Sequence, residues 1–333
     1  ALVIGVYQIF HASINLVTYV LYRKNKIRPR FRLLLDGLVL VFLGGTSLLS
    51  STGNSVFQLF VLGAYFFLYG LSNIRDGFLF EEEIGKNHLK RRIRISLPIV
   101  LAALIPASTL AKINKFMQEN ADEEEDIHLG IVKSGKTAEL EIFVHTAETS
   151  LFSAIGHVDI CYQGRVISYG NYDPSSETLF GMVGDGVLYF CDRDKYIDLC
   201  KRESQKTLFG YGIDLTPEME KAVQKKLAEL KQLTIPWEPS ADKIMTGDGK
   251  EDYTYAYKIR HETDGELYKF IKSKFKSYFV LSTNCVLLAD TIVGQAGTDI
   301  LSPKGFIAPG TYQAYLNREF EKPNSIVVSK HVY

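Results

Sequence analysis

Cysteine is scarce: the 333 residues hold four, Cys161, Cys191, Cys200 and Cys285, and no two form a CxxC pair. So few and so scattered, they exclude a disulfide scaffold and argue against a structural zinc site. Net charge is also missing, because 38 Lys and Arg balance 38 Asp and Glu. Bulk electrostatics therefore gives no reason to expect a nucleic-acid partner. There is no internal repeat, no GxGxxG and no Walker-type loop, so no nucleotide cofactor or metal is expected. Tryptophan occurs once, at Trp237.

What the sequence does have is unevenly placed apolar residues. Crossing a bilayer takes about 20 mostly apolar residues in a helix, and four runs qualify: 1–22, 33–51, 56–74 and a shorter one at 95–111. The fourth contains Pro98 and Pro106, which membrane helices tolerate when neighbours satisfy the freed backbone groups. The first connecting loop, "RKNKIRPRFR", is strongly basic, the second, "STGNS", is uncharged, and the third ends in "KNHLKRRIR". Basic loops stay on the cytoplasmic side, so an even number of spans places the C-terminal half outside. The expected organisation is a four-helix transmembrane region at 1–113, an acidic linker at 114–126 and an extracytoplasmic domain at 127–333. The run "ADEEEDIH" at 121–128 reads as solvated linker rather than a metal site. The sequence begins without Met inside an apolar run, which fits a true N-terminus lying further upstream.

The C-terminal half reads as α+β. "IHLGIVKSG" and "AELEIFVHT" have strand patterns, and "HVDICYQGRVISYG" alternates on both sides of Gln163-Gly164, a hairpin signature. "GVLYFC" is a further strand. "LTPEMEKAVQKKLAELKQL" is a helix with Thr216 as N-cap and Pro217 at its first position. "IPWEPSADKIMTGDGKED" reads as a loop, and "GELYKFIKSKFKSYF" as an amphipathic helix that could also touch anionic lipid or wall polymer. "TNCVLLADTIVGQAG" starts a helix near Asn284 and stops it at Gly294 or Gly297.

That last helix raises the question of chemistry. A thiol in the first turn of a helix is favoured as thiolate by the dipole and the free backbone N–H groups. Those N–H groups could also contribute to an oxyanion hole. Cys285 is placed there, although free cysteine is also among the most buried residue types. Of seven histidines, His145 and His157 lie in strand-patterned runs, and His157 is the better base. Gly156 precedes it, and Asp159 and Cys161 share its face at period two.

"SLFSAIGHVDICYQGRVISYGNYD" followed much later by "STNCVLLADTI" resembles the circularly permuted members of the papain-like NlpC superfamily. There a Gly-His strand comes first and an Asn-Cys at a helix start comes last. The tail "SPKGFIAPGTYQAYLNREFEKPNSIVV" is similar to the end of a bacterial membrane-associated set within it. The resemblance spans 127–333 and implies a papain-like α+β domain with an antiparallel sheet. It implies Cys285 as nucleophile, His157 as base and a polar residue on the next strand to orient the imidazole. Ser168 is the first choice for that role if Tyr162 pairs with Arg165, and Asn171 the second if a bulge intervenes; both depart from the usual histidine. Asp159 is expected to serve substrate binding better, because same-strand neighbours splay apart. Asn284 is a further candidate substrate contact, and Trp237 either contacts substrate or packs. Cys161 is expected in the core, while Cys191 and Cys200 are left open as a disulfide or two thiols.

These expectations combine into a membrane-anchored extracytoplasmic cysteine hydrolase cleaving an amide or ester through an acyl-enzyme. Cell-wall peptide is the expected substrate. The alternatives are acyl transfer or thioester cleavage on a lipid-like substrate, and a non-catalytic cell-envelope binding module.

Overall fold

The computed structural model describes residues 2–28, 30–49, 59, 60, 63, 67, 129–133, 138–145, 157–204, 207–245, 249, 251–294, 309–323 and 325–333. The chain divides into two units, Ala1–His88 and Leu89–Tyr333. The expected linker 114–126, the span 95–111 and all but four residues of the span 56–74 lie outside the described residues.

The first unit contains two helices, α1 (Leu2–Lys24) and α2 (Phe31–Leu49). Glycines let them touch: a Cβ added to Gly5 would stand 3.1 Å from the Gly44 carbonyl oxygen. The buried Ser47 hydroxyl donates to Gln8 Oε1 at 3.3 Å. Among the described residues, α2 is the one helix long and apolar enough to cross a membrane. Helix α1 has the length, but Gln8, His11, Ser13, Asn15 and Thr18 dilute its apolar character. Of the four expected spans, the one at 33–51 is found as an apolar helix near the start of the chain, while 95–111 and most of 56–74 lie outside the described residues.

The second unit is α+β. Nine of its strands form one sheet: β1 (Leu129–Val132), β2 (Leu140–His145), β3 (His157–Tyr162), β4 (Arg165–Gly170), β6 (Val187–Asp192), β7 (Leu208–Ile213), β8 (Thr234–Pro236), β11 (Glu266–Phe270) and β13 (Val327–Val332). Their order is β1-β13-β7-β2-β3-β4-β6-β11-β8, and every described pairing is antiparallel. Two short ribbons stand apart from it. They are β5 (Val183–Asp185) with β12 (Ser277–Phe279), and β9 (Lys243–Met245) with β10 (Glu251–Tyr253).

Among the described residues five α-helices accompany these strands: α3 (Arg193–Ser204), α4 (Pro217–Lys231), α5 (Tyr255–Glu262), α6 (Cys285–Val293) and α7 (Pro309–Glu321). Strand alternation divides the core in two. Val158, Ile160, Tyr162, Ile167 and Tyr169 pack with Met219 and Val223 of α4, Val286 and Leu288 of α6 and Leu316 of α7. Phe143, Cys161, Val166 and Tyr189 pack with Tyr196 and Ile197 of α3 and Ile259 of α5. One face of the sheet is thus covered by α4, α6 and α7, and the other by α3 and α5. All four cysteines are buried and free, so Cys191 and Cys200 form no disulfide. Cys161 occupies the core, as its strand pattern suggests.

The hairpin turns where the sequence places it. Gln163 and Gly164 both have positive φ, 51° and 74°, the conformation of a type I′ turn. Tyr162 stands opposite Arg165. Thr216 caps α4, its hydroxyl accepting from the Met219 N–H at 3.3 Å. Residues 265–279 depart from expectation and contain no amphipathic helix. Leu267 and Phe270 are buried within β11, which hydrogen-bonds β6 on one side and β8 on the other. Aromatic and β-competent residues take the pairing that two waiting strands offer, and tertiary context overrides the helical spacing. Three short strands, β8, β9 and β10, also interrupt the stretch read as loop.

Candidate functional site

The site forms where β3 and α6 begin. Asn284 caps α6: its Oδ1 accepts from the Leu287 N–H at 3.1 Å, and its Nδ2 donates to the Val280 carbonyl at 3.0 Å. Cys285 is therefore the first helical residue, the position where the dipole and free N–H groups favour an anion. Val286 and Leu288 are buried beneath it and fix the direction in which the thiol points. Thr283 donates to the Ser277 carbonyl at 2.9 Å, tying the approach to α6 onto β12.

His157 opens β3, and the Cys285 sulfur is close enough to its imidazole to raise its pKa. Three oxygens crowd Nε2. Asp159 Oδ1 is 2.8 Å from Nε2, Ser168 Oγ 2.9 Å and the Tyr172 hydroxyl 3.1 Å. Ser168 Oγ and the Tyr172 hydroxyl meet Nε2 with hydrogen-bond geometry, whereas Asp159 Oδ1 lies beside it as a close charge contact and accepts no hydrogen bond. The Ser168 and Tyr172 hydroxyls hydrogen-bond each other at 2.8 Å. Tyr172 can lie this close because Gly170 has no side chain; a Cβ there would stand 2.6 Å from the tyrosine ring.

Asp159 itself is fully enclosed, with 0% of its side chain exposed, whereas a quarter of the His157 side chain reaches solvent. Its second oxygen, Oδ2, is 2.6 Å from His145 Nε2 and accepts from the Tyr196 hydroxyl at 2.5 Å. Burial alone would raise its pKa, but the His157 charge and the His145 donor hold it well below the usual carboxylate range. For His157 burial opposes the charged form. The Asp159 carboxylate and the Cys285 sulfur outweigh it and raise the pKa well above the ordinary value. Burial, reinforced by the Asp159 charge, keeps the Tyr196 phenol protonated and able to donate. The arrangement favours an imidazolium beside the sulfur and an ionised carboxylate behind it.

The structure thus brings together Cys285, His157, Asp159 and Ser168. Asp159, expected at the substrate, lies instead behind the imidazole. Residues two apart on a strand share a face, and these two side chains are long enough to lean together across the gap. Asn171 makes no described contact with His157; its Nδ2 reaches the Gly181 carbonyl at 3.5 Å. Asn284 is committed to capping α6. Trp237 packs among the residues on the α3/α5 face, with Lys269 Nζ 5.0 Å from its ring centre. Sequence reasoning set His145 behind His157 as a candidate base and left out Tyr196 and Tyr172. His145 faces His157 directly in the β2–β3 ladder, so register could have linked them. Tyr196 arrives from α3, a helix distant in sequence that the sequence reading did not place. Among the described residues, no cluster of His, Cys, Asp and Glu could hold a metal ion. Compared with protein-family models, curated proteins and solved structures, the chain has no match.

Proposed function

We propose that the second unit is a cysteine hydrolase that cleaves an amide or ester through an acyl-enzyme, on a papain-like arrangement in permuted order. One observation carries this reading: a thiol at a helix N-terminus interacting with an imidazole that lies 2.8 Å from a buried carboxylate. A nucleophile, a base and an orienting group in this sequence of contacts have the geometry of nucleophilic acyl transfer. His157 takes the Cys285 proton, and the thiolate attacks the carbonyl carbon to form a C–S bond. The tetrahedral oxyanion faces the unpaired N–H groups at the start of α6. As the C–N or C–O bond breaks, the imidazolium returns its proton to the leaving amine or alcohol. Water, deprotonated by His157, then attacks the thioester, releasing the acid and restoring the thiol.

The membrane setting is part of the proposal. Helix α2 would cross the bilayer with Leu35, Leu38 and Phe42, which are exposed, against lipid. The further spans 1–22, 56–74 and 95–111 would complete a multi-pass anchor with the catalytic unit outside the cell. A domain tethered there meets cell-wall peptide first.

A second reading, cleavage or transfer of a lipid-like acyl group, is favoured by one feature. The tip Leu179-Phe180-Gly181 has three successive positive φ angles, 51°, 57° and 81°. It presents Phe180 to solvent at 91% exposure and Leu179 at 49%. Left-handed backbone costs a non-glycine residue roughly 1–2 kcal/mol, so the exposed ring is held there against a local cost. The tip adjoins the approach to Cys285, since the Val280 N–H donates to the Met182 carbonyl at 3.0 Å. The two readings separate when the full chain is incubated with muropeptides and with long-chain acyl thioesters, each beside Cys285→Ala. New muropeptide products, lost in Cys285→Ala and unchanged in Phe180→Ser, are the expected result. Turnover of the thioester alone, reduced roughly tenfold in Phe180→Ser by loss of apolar contact, would move the assignment to the acyl substrate. With neither substrate turned over, the hydrolase reading gives way to a binding module.

A further inference from the structure

We infer that His145 and Tyr196 are positioning residues, which clamp the far oxygen of Asp159 so that its near oxygen, and with it the carboxylate charge, stays beside the His157 imidazole. The inference rests on the Cys285–His157 reading above and extends it by two residues that never approach the sulfur.

The geometry is asymmetric in an informative way. Asp159 holds Oδ1 2.8 Å from one imidazole as a close charge contact and gives Oδ2 to a second imidazole as a hydrogen bond at 2.6 Å. The Tyr196 hydroxyl, 2.5 Å from Oδ2, is also 3.2 Å from His145 Nε2, so three groups close a triangle behind the carboxylate. A carboxyl held through one oxygen can rotate about its Cβ–Cγ bond. One held at Oδ2 by donors from two directions cannot, and Oδ1 is then fixed as well. The donors come from separate elements, His145 from β2 and Tyr196 from α3, while Asp159 belongs to β3. The two imidazoles stand edge to face with centres 5.5 Å apart, His145 opposite His157 in the ladder. His145 is buried, with 7% of its side chain exposed, and so is not a surface histidine that happens to lie near. Stability alone would be served as well by apolar side chains at all three positions, since replacing a buried polar cluster with well-packed hydrophobes is often neutral or stabilising.

The test uses the full chain and reads the rate of Cys285 alkylation by iodoacetamide at pH 6, with a thermal melt of each variant alongside. His145→Phe keeps a ring of similar size but removes the donor, and is expected to slow alkylation roughly 10- to 100-fold, the range for a hydrogen bond to a charged group. His145→Gln, whose amide can still donate to Oδ2, is expected to recover to within about 3-fold of wild type. Tyr196→Phe is expected to lower the rate several-fold, and it keeps the test usable should His145→Phe fail to fold. In a His157→Ala background neither substitution should lower the rate further, because both act through that imidazole. A wild-type rate in His145→Phe and Tyr196→Phe, equal losses in Phe and Gln, or an undiminished effect in the His157→Ala background would each overturn the inference. Failure of the underlying reading looks different: His157→Ala itself would then alkylate like wild type.

Discussion

His157→Ala is expected to slow alkylation of Cys285 at pH 6 by roughly 30- to 100-fold. Without a partner, a thiol ionises around its ordinary value of about 8.5, so under ~1% is thiolate at pH 6. The imidazolium stabilised by Asp159 puts a positive charge beside the sulfur in the wild type, which favours attack on the alkylating agent, and the lower nucleophilicity of a paired sulfur offsets only part of that gain. The sign follows from the raised His157 pKa. The difference between the two proteins is largest in mild acid and shrinks above about pH 8.5, where an unpaired thiol ionises unaided. A loss of the same size at every pH would point to obstructed access to the sulfur instead of a missing charge.

The second large effect belongs to Asp159→Asn. An amide supplies no charge beside the imidazole, so His157 loses its reason to stay protonated. Turnover should fall by roughly 10²- to 10⁴-fold, the scale of general acid–base assistance. Stability should fall by about 3–5 kcal/mol, the scale for breaking a buried ion pair from one side. Linkage gives this loss a pH signature. The depressed Asp159 pKa contributes stability that is full above the unfolded value near ~3.8 and fades only as pH falls through the folded value. The raised His157 pKa contributes stability that is full below the unfolded value near ~6.5 and is lost as pH rises through the folded one. Wild type should therefore exceed Asp159→Asn most between about pH 4 and 6.5, with the gap narrowing on the alkaline side. Thermal melts of both full-length proteins in detergent across that range check it. A gap that widens with rising pH would contradict the charge assignments.

Local chemistry made much of the site legible in advance. Asn284 before an apolar run marked a helix start and hence put Cys285 in its first turn. Gln163-Gly164 marked the turn that carries Ser168 back toward His157. The nine-strand order was not legible, because β13 and β7 meet β1 and β2 across most of the domain's length, and no local pattern encodes such pairings. Helix α3 was missed although a signal existed: Asp192 Oδ1 accepts from the N–H groups of Asp194 and Lys195, ahead of apolar Tyr196, Ile197 and Cys200. That omission hid Tyr196, and with it the reason Asp159 serves the imidazole. In the 265–279 run a basic helical spacing competes with strand pairing that buries Leu267 on one face of the sheet and Phe270 on the other, and pairing to β6 and β8 decides the outcome.

The central claim is that Cys285 is a nucleophile activated by His157 for acyl transfer. The most direct measurement is intact mass, followed by peptide mapping, after brief exposure of the full chain to an activated acyl ester at pH 6. The account predicts one acyl group on Cys285, formed in seconds to minutes in wild type, strongly slowed in His157→Ala and absent in Cys285→Ser. An unmodified Cys285 in folded wild-type protein, or acylation of Cys285 at the same rate without His157, would contradict it.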